Sequence, residues 1–141
     1  MTQDSPYPPS IRILIIDDNL GDAIVAQSEL RKYFPEGFQL NFNHQRFPEK
    51  GLEVLARQNI DLVILDPNSN ALKPTTRAGI TDFLEPMREL GYQTPVICFT
   101  NPVCMSMDEA LVAGATAYAP KEDYETLSRR VLSEVFQPVN S

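Results

Sequence analysis

Short apolar runs alternate along the chain with longer stretches in which apolar residues recur every three or four positions. The short runs predict strands, and because they are nearly continuous they suit a parallel sheet covered on both faces. Five runs of this kind are present: Ile11–Ile16, Phe38–Phe42, Ile60–Leu65, Pro95–Thr100 and Ala115–Ala119.

The intervening stretches predict five helices, of which the first ends at Pro35 and Gly37 and the third at Gly91. Their apolar positions are Ala23, Ala26, Leu30, Tyr33 and Phe34; Leu52 and Leu55 within 48–58; Ile80, Phe83, Leu84, Met87 and Leu90; Met107, Ala110 and Leu111; and Tyr124, Leu127, Val131 and Val135. This alternation predicts an α/β domain with a doubly wound parallel sheet, in which right-handed crossovers place helices on both faces.

Pro86 conflicts with the pattern of the third helix, because it falls inside the apolar stripe. A proline in a helix interior removes a hydrogen bond and clashes with the preceding turn, at a cost of about 3 kcal/mol. The helix therefore either starts late, with Pro86 in its first turn, or is kinked there.

Composition narrows the class of protein. The 141 residues are 43% hydrophobic and 22% charged, as expected for one soluble globular domain. Apolar runs stay well below the roughly 18 residues of a membrane-spanning helix, and Met1 to Ser10 lacks the basic and apolar regions of a signal peptide. We expect a cytoplasmic protein with one domain at residues 11–136, a flexible leader at 1–10 and a tail at 137–141.

Charge and the rarer residues exclude several functions. The net charge is −7 and the 12 basic residues are scattered, so direct nucleic-acid binding is not expected. Cys98 lies in an apolar run and is predicted to be a core residue, and its spacing from Cys104 does not suit a metal site. His44 is the only histidine; it follows polar residues and is predicted to lie on the surface.

The residues whose side chains could take part in catalysis or metal binding lie where the predicted strands end. Asp17 and Asp18 follow the first strand, Asp66 follows the third, Thr100 ends the fourth and Lys121 follows the fifth. In open α/β sheets, ligands bind beyond the carboxyl ends of the strands. We therefore expect three carboxylates, a hydroxyl and an ammonium group to converge on one rim.

Each of these residues has a simpler interpretation on its own, such as helix capping by Asp17 or Asp18 or a turn at Thr100. Together they favour a site, because carboxylates a few ångströms apart repel each other unless a cation lies among them. Mg²⁺ prefers one or two carboxylates with water and phosphate oxygens. A carboxylate can also act as a nucleophile in phosphoryl transfer, assisted by a metal, a lysine and a hydroxyl.

Four segments, IRILIIDDN, DLVILDP, PVICFTN and GATAYAPKED, resemble the response-regulator receiver family of two-component signal transduction. They occur in the family's order over residues 11 to about 136, with Asp66 about 48 residues after Asp18, Thr100 about 34 further and Lys121 about 21 beyond that. The resemblance implies a flavodoxin-like sheet with strand order 2-1-3-4-5.

The resemblance also implies a role for each rim residue. Asp66 corresponds to the phosphoacceptor, Asp18 to a direct Mg²⁺ ligand and Asp17 to a second acidic residue that acts through water. The backbone carbonyl of Asn68 would be a further ligand of the Mg²⁺ cofactor. These assignments predict a metal site made by Asp17, Asp18, Asp66 and Asn68.

The remaining matched residues imply a conformational switch. Thr100 corresponds to the hydroxyl that binds the phosphoryl group, Lys121 to the lysine that pairs with it and Tyr118 to the switch aromatic. The surface of the fourth helix, fifth strand and fifth helix would then contact a downstream partner. We expect this surface to contain Met105, Met107, Tyr118 and Tyr124, although Tyr124 is better explained as filling the seam between helix and sheet.

The chain departs from the family pattern in two places. The loop from Pro67 to Ala78 is several residues longer than usual, with the next Pro and Gly at Pro74 and Gly79; its composition predicts an irregular, exposed segment. Proline precedes Lys121 at position 120, whereas in many family members it follows the lysine. Neither departure removes a chemical group from the predicted site.

The resemblance implies a signalling domain rather than an enzyme. A sensor histidine kinase or a phosphotransfer protein would phosphorylate Asp66, and the domain would change its affinity for a partner, without nucleic acid or membrane binding. The alternative is a pseudo-receiver that binds partners independently of phosphorylation. A flavodoxin-like cofactor binder would need a Gly/Ser/Thr-rich loop after the first strand, and Asp17-Asp18-Asn19 has the opposite charge. The chain is either a stand-alone receiver or one cut from a longer protein.

Overall fold

A computed structural model describes residues 10–68 and 77–136. All five strands are parallel and form one sheet in the order β2-β1-β3-β4-β5. The predicted order and fold class are confirmed. The strands are β1 Ser10–Ile16, β2 Gln39–Gln45, β3 Leu62–Leu65, β4 Val96–Thr100 and β5 Ala117–Pro120.

Helices flank the sheet on both faces. They are α1 Leu20–Tyr33, α2 Pro48–Arg57, a π-helical turn Ile80–Leu84 that runs directly into α3 Glu85–Glu89, α4 Met107–Val112 and α5 Tyr124–Val135. Successive strand residues point to opposite faces, so Ile13 and Ile15 pack with α1 and α5, whereas Leu14 and Ile16 pack with the other helices. Two apolar cores therefore enclose the sheet.

The π-helical turn resolves the conflict at Pro86. The helical segment is established before Pro86, and the N–H of Glu85 donates to the carbonyl of Ile80, five residues earlier. The wider turn directly precedes Pro86. In a regular α-helix, the proline ring would clash with a carbonyl of this preceding turn. The regular α-helix begins at Glu85 with Pro86 in its first turn, as the first of the two alternatives predicted, and the π-helical turn extends the helical segment ahead of it.

Strand β2 extends three residues beyond its predicted end at Phe42. The backbone of Asn43 to Gln45 continues to pair with β1, with His44 opposite Ile15 and Gln45 opposite Ile16. Because the side chains of this extension are polar, the apolar run ended too early to reveal it. The extension brings His44 to the rim of the sheet.

None of the helices in the described ranges is both long enough and apolar enough to cross a membrane. Cys98 is fully buried as predicted, and burial raises the pKa of its thiol to about 12. Most of the long loop lies outside the described residues, as do residues 1–9 of the predicted leader and the predicted tail at 137–141. Ser10, assigned to the leader, instead begins β1. The final residue of the long loop, Ala78, is buried, so the prediction that the loop is exposed is wrong at this position.

Candidate functional site

The sheet register brings the predicted strand-end residues to one rim. Ile16 pairs with Leu65, and the N–H of Asp66 donates to the carbonyl of Ile16 at 2.9 Å, which places Asp66 beside the acidic pair. At the ends of β4 and β5, the N–H of Lys121 donates to the carbonyl of Thr100 at 2.9 Å. Parallel pairing thus carries residues from four separate segments to the same edge.

Three carboxylates form a compact group at this rim. One oxygen each from Asp17, Asp18 and Asp66 can be chosen so that all lie within 4.8 Å of one another. The backbone holds two of them: Asn19 N–H donates to Asp17 Oδ1 at 2.9 Å, and Asn68 N–H donates to Asp66 Oδ1 at 3.0 Å. A donor set of closely spaced carboxylate oxygens fits a hard divalent cation such as Mg²⁺.

Lys121 lies inside the acidic group. Its Nζ is 2.8 Å from Asp17 Oδ2, 2.7 Å from Asp22 Oδ2 and 3.3 Å from Asp66 Oδ2. Burial alone would lower the pKa of Lys121, but the attraction of Asp17 and Asp66 and the hydrogen bonds to Asp17 and Asp22 outweigh it and raise the pKa. The lysine is therefore a permanent positive charge in this site.

Burial and like charges disfavour ionisation of the acidic pair. The side chain of Asp17 is only 5% exposed, and burial raises its pKa to about 6 although Lys121 opposes the shift. Burial and the nearby charge of Asp66 also raise the pKa of Asp18. Since both carboxylates are less stable as anions here than in water, the metal-free site carries a free-energy cost that a bound cation would relieve.

Two residues of the site were not predicted from the sequence. Asp22, in the first turn of α1, hydrogen-bonds to Lys121, and His44 Nε2 lies 2.7 Å from the backbone carbonyl of Asp17. His44, predicted to lie on the surface, is half-buried at the end of β2, and its contact with Asp17 was not predicted. The carbonyl can only accept, so Nε2 donates and His44 fixes the backbone that carries Asp17.

The predicted switch residues lie near the site but in different environments. Thr100 is buried at the end of β4, and the hydroxyl of Tyr118 donates to the carbonyl of Met105 at 2.9 Å. Met105 was predicted on the output surface, but it is 1% exposed because its side chain packs into the core beneath α4. Met107 is exposed, and Tyr124 packs against Phe99 in the helix–sheet seam, as expected.

The loop around the acceptor is closely packed at its described ends. Gly79 N–H donates to the carbonyl of Pro67 at 2.8 Å, and a Cβ at Gly79 would lie 2.7 Å from Pro67 Cα. Only glycine permits this approach of two backbone segments. Asn68 lies beside them, with its Nδ2 enclosed and without a hydrogen-bond partner in the described parts of the chain. Its carbonyl as a metal ligand stays a prediction.

Among the comparisons with known proteins, only those of structure found similar proteins, and they support the fold. No family model and no curated protein matches the sequence. The structure is similar to the receiver domain of the Francisella response regulator 1452, with a TM-score of 0.68 and 23% identity over 89% of this chain and 96% of the other.

Two further solved structures show the same likeness. A two-component response regulator from Clostridium difficile has a TM-score of 0.71 at 18% identity, covering 93% of this chain and 99% of the other. The chemotaxis response regulator CheY4 of Vibrio cholerae has a TM-score of 0.65 at 19% identity, covering 89% and 98%. The chain therefore has the fold of response-regulator receiver domains, which confirms at the level of the fold the resemblance predicted from its motifs.

Proposed function

We propose that the chain is a phosphorylation-dependent signalling receiver that accepts a phosphoryl group on Asp66. The observation that carries this proposal is the position of Asp66. It directly follows the central strand β3, and the carboxylates of Asp17 and Asp18 and the ammonium of Lys121 lie around it. The phosphoryl donor would be the phosphohistidine of a sensor histidine kinase or of a phosphotransfer protein.

The proposed reaction needs a nucleophile and charge compensation. A carboxylate oxygen of Asp66 forms a bond to phosphorus while the P–N bond of the donor breaks, and the donor's imidazole keeps the electron pair. Lys121, already 3.3 Å from Asp66 Oδ2, supplies positive charge beside the transferred group. The hydroxyl of Thr100 is a hydrogen-bond donor for a phosphoryl oxygen. Catalysis here is mainly positioning and electrostatic stabilisation.

The residues that would hold Mg²⁺ are Asp17, Asp18 and Asp66, together with the backbone carbonyl of Asn68. When bound, Mg²⁺ supplies positive charge that offsets the carboxylates and the incoming phosphoryl oxygens. Without it, burial and, to a lesser extent, the charge of Asp66 raise the pKa of Asp17 and of Asp18, so both anions are disfavoured. We therefore propose that phosphorylation of Asp66 depends on a divalent cation.

The output would be a rearrangement around β4 and β5. An acyl phosphate adds negative charge and strong acceptor oxygens, towards which Thr100 and Lys121 would move. Tyr118 would change its packing and release its hydrogen bond to Met105, altering the α4–β5–α5 surface that meets a downstream protein. On this proposal the chain is a cytoplasmic signalling module, neither an enzyme for a separate substrate nor a nucleic-acid or membrane binder.

Intact-protein mass spectrometry after incubation with a small phosphodonor and Mg²⁺ tests the proposal. The expected result is one added phosphoryl group, which is absent without Mg²⁺ and absent in the Asp66→Asn variant, because an amide is not a nucleophile here. Equal labelling of Asp66→Asn contradicts the assignment. A folded protein that is never labelled, but binds its partner, supports the pseudo-receiver alternative instead.

A further inference from the structure

The hydrogen bond between Asp22 and Lys121 connects α1 to the site across the rim. The Oδ2 atom of Asp22 lies 2.7 Å from Lys121 Nζ, a shorter distance than the 3.3 Å to Asp66 Oδ2. An ammonium group has three N–H donors, and Asp17, Asp22 and Asp66 offer three acceptors. The lysine is therefore fully engaged before any phosphoryl group arrives.

Asp22 is not needed to cap its own helix. The N-cap of α1 is Asn19, whose Oδ1 accepts a hydrogen bond from the N–H of Asp22 at 3.0 Å. The carboxylate of Asp22 is thus available to reach out from the first turn to Lys121. A favourable interaction with the helix dipole accounts for an acidic residue in this turn, but not for its contact with the lysine.

The three partners of Lys121 differ in how readily they can release it. The Asp17 side chain is 5% exposed and depends on the lysine for compensation of its charge, whereas the Asp22 side chain is 38% exposed and can be hydrated instead. When Asp66 carries a phosphoryl group, the oxygens of that group compete for the same ammonium donors. Of the three partners, Asp22 is therefore the one whose hydrogen bond to Lys121 costs the least free energy to break.

We propose that Asp22 is a positioning residue that holds Lys121 in its unphosphorylated arrangement and releases it when Asp66 is phosphorylated. This inference rests on the proposed function and adds to it a competing acceptor within the chain itself. Because Asp22 stabilises the unphosphorylated form selectively, it sets the balance between the two forms. Weakening its bond shifts that balance towards the phosphorylated form.

The first test examines the bond in the metal-free protein by proton–nitrogen NMR of the Lys121 ammonium group. The parent protein is expected to give a signal that exchanges slowly with water, and Asp22→Asn a signal that exchanges several times faster. Glu29→Gln removes the same charge from the same helix at an exposed pair with Lys32 and serves as the control. Equal exchange in the parent and Asp22→Asn overturns the proposal without reference to phosphorylation.

The second test measures the affinity for beryllofluoride, a phosphoryl mimic, in the presence of Mg²⁺. Asp22→Asn is expected to bind about two- to fivefold more tightly, the range for one partly exposed ion pair. Asp22→Glu, which keeps the charge, should return towards the parent value, and Glu29→Gln should not change it. Unchanged or weaker binding by Asp22→Asn, with a parent that binds, overturns this inference alone. A parent that does not bind overturns the proposed function and the release step together.

Discussion

The carboxyl-terminal rim of the sheet and the strand interiors directly behind it make opposite contributions to the stability of the fold. The four residues of β3 are all apolar and at most 2% exposed, and Asp66 follows at once. Likewise, Ile16 is fully buried and its neighbour Asp17 is an almost equally buried carboxylate. The interior stabilises the fold by burying apolar area, whereas the rim collects like charges that oppose folding. Fold stability cannot explain the rim, and ligand binding can.

The largest expected effect lies in the interior. Leu65→Ala removes a fully buried side chain next to Asp66, and both the lost apolar burial and the cavity lower the free energy of unfolding, by about 2–5 kcal/mol. Leu90→Ala makes the same change at a leucine that is 70% exposed and should cost less than about 1 kcal/mol. Urea unfolding of both variants measures the difference. Similar losses would mean that the interior is not the stabilising region.

The pH dependence of stability tests the rim. Burial raises the pKa of Asp17 from 3.8 to about 6, so between these pH values the folded protein keeps a proton that the unfolded chain has released. The free energy of unfolding of the metal-free protein should therefore fall as pH rises through this window, by at most about 3 kcal/mol.

Urea unfolding at several pH values, compared with Asp17→Asn, isolates this contribution. Carboxylates remote from the site titrate alike in both proteins and cancel in the difference between the two curves, which therefore reports Asp17 together with its coupling to Asp66. The difference should lie within the window from about pH 4 to pH 6. Parallel curves would show that Asp17 ionises in the folded protein as it does in water.

Removal of a rim charge is also expected to stabilise the metal-free protein, by a smaller amount than protonation of Asp17. Asp18→Ala relieves repulsion with Asp66 and should raise the free energy of unfolding of the metal-free protein by up to about 1 kcal/mol. The same change should abolish most of the stabilisation by added Mg²⁺, because the variant lacks one of the proposed ligands. Thermal unfolding with and without Mg²⁺ measures both, with the exposed Glu36→Ala as control. Unchanged stabilisation of Asp18→Ala by Mg²⁺ contradicts the metal site.

The smallest effect concerns His44, which holds the backbone of Asp17. His44→Ala removes the donor to the Asp17 carbonyl and should weaken Mg²⁺ binding severalfold, equivalent to about 1 kcal/mol or less. His44→Gln retains an N–H donor at a similar distance from the backbone and should remain close to the parent. Calorimetric titration with Mg²⁺ compares the three proteins. If His44→Ala binds as the parent does, the contact serves only to seal the end of β2.

Much of this rim is predictable from the sequence because its residues follow strands with strong local signals. Apolar runs locate the ends of β1, β3 and β4, and a parallel sheet necessarily brings those ends to one edge. Asp17, Asp18 and Asp66 could therefore be grouped before any contact was known. The family resemblance added the strand order, which apolar patterns alone do not specify.

The contacts that escaped prediction depend on tertiary structure. Lys121 and Asp22 are 99 positions apart, and no local pattern links them. His44 lies in a polar extension of an edge strand, where backbone pairing leaves no apolar signal. Met105 was misplaced because a loop residue can turn inwards without helical or strand periodicity, and the π-helical turn before Pro86 has no sequence pattern of its own.

The most direct test of the central claim is to identify the phosphorylated atom. After treatment with a small phosphodonor and Mg²⁺, borohydride reduces an aspartyl phosphate to homoserine, and peptide mass spectrometry locates that change. We predict homoserine at position 66, with Asp17 and Asp18 unmodified and no conversion when Mg²⁺ is withheld. Conversion at another carboxylate, or none in a folded protein that binds Mg²⁺, would contradict the assignment of this rim as a phosphoryl-accepting site.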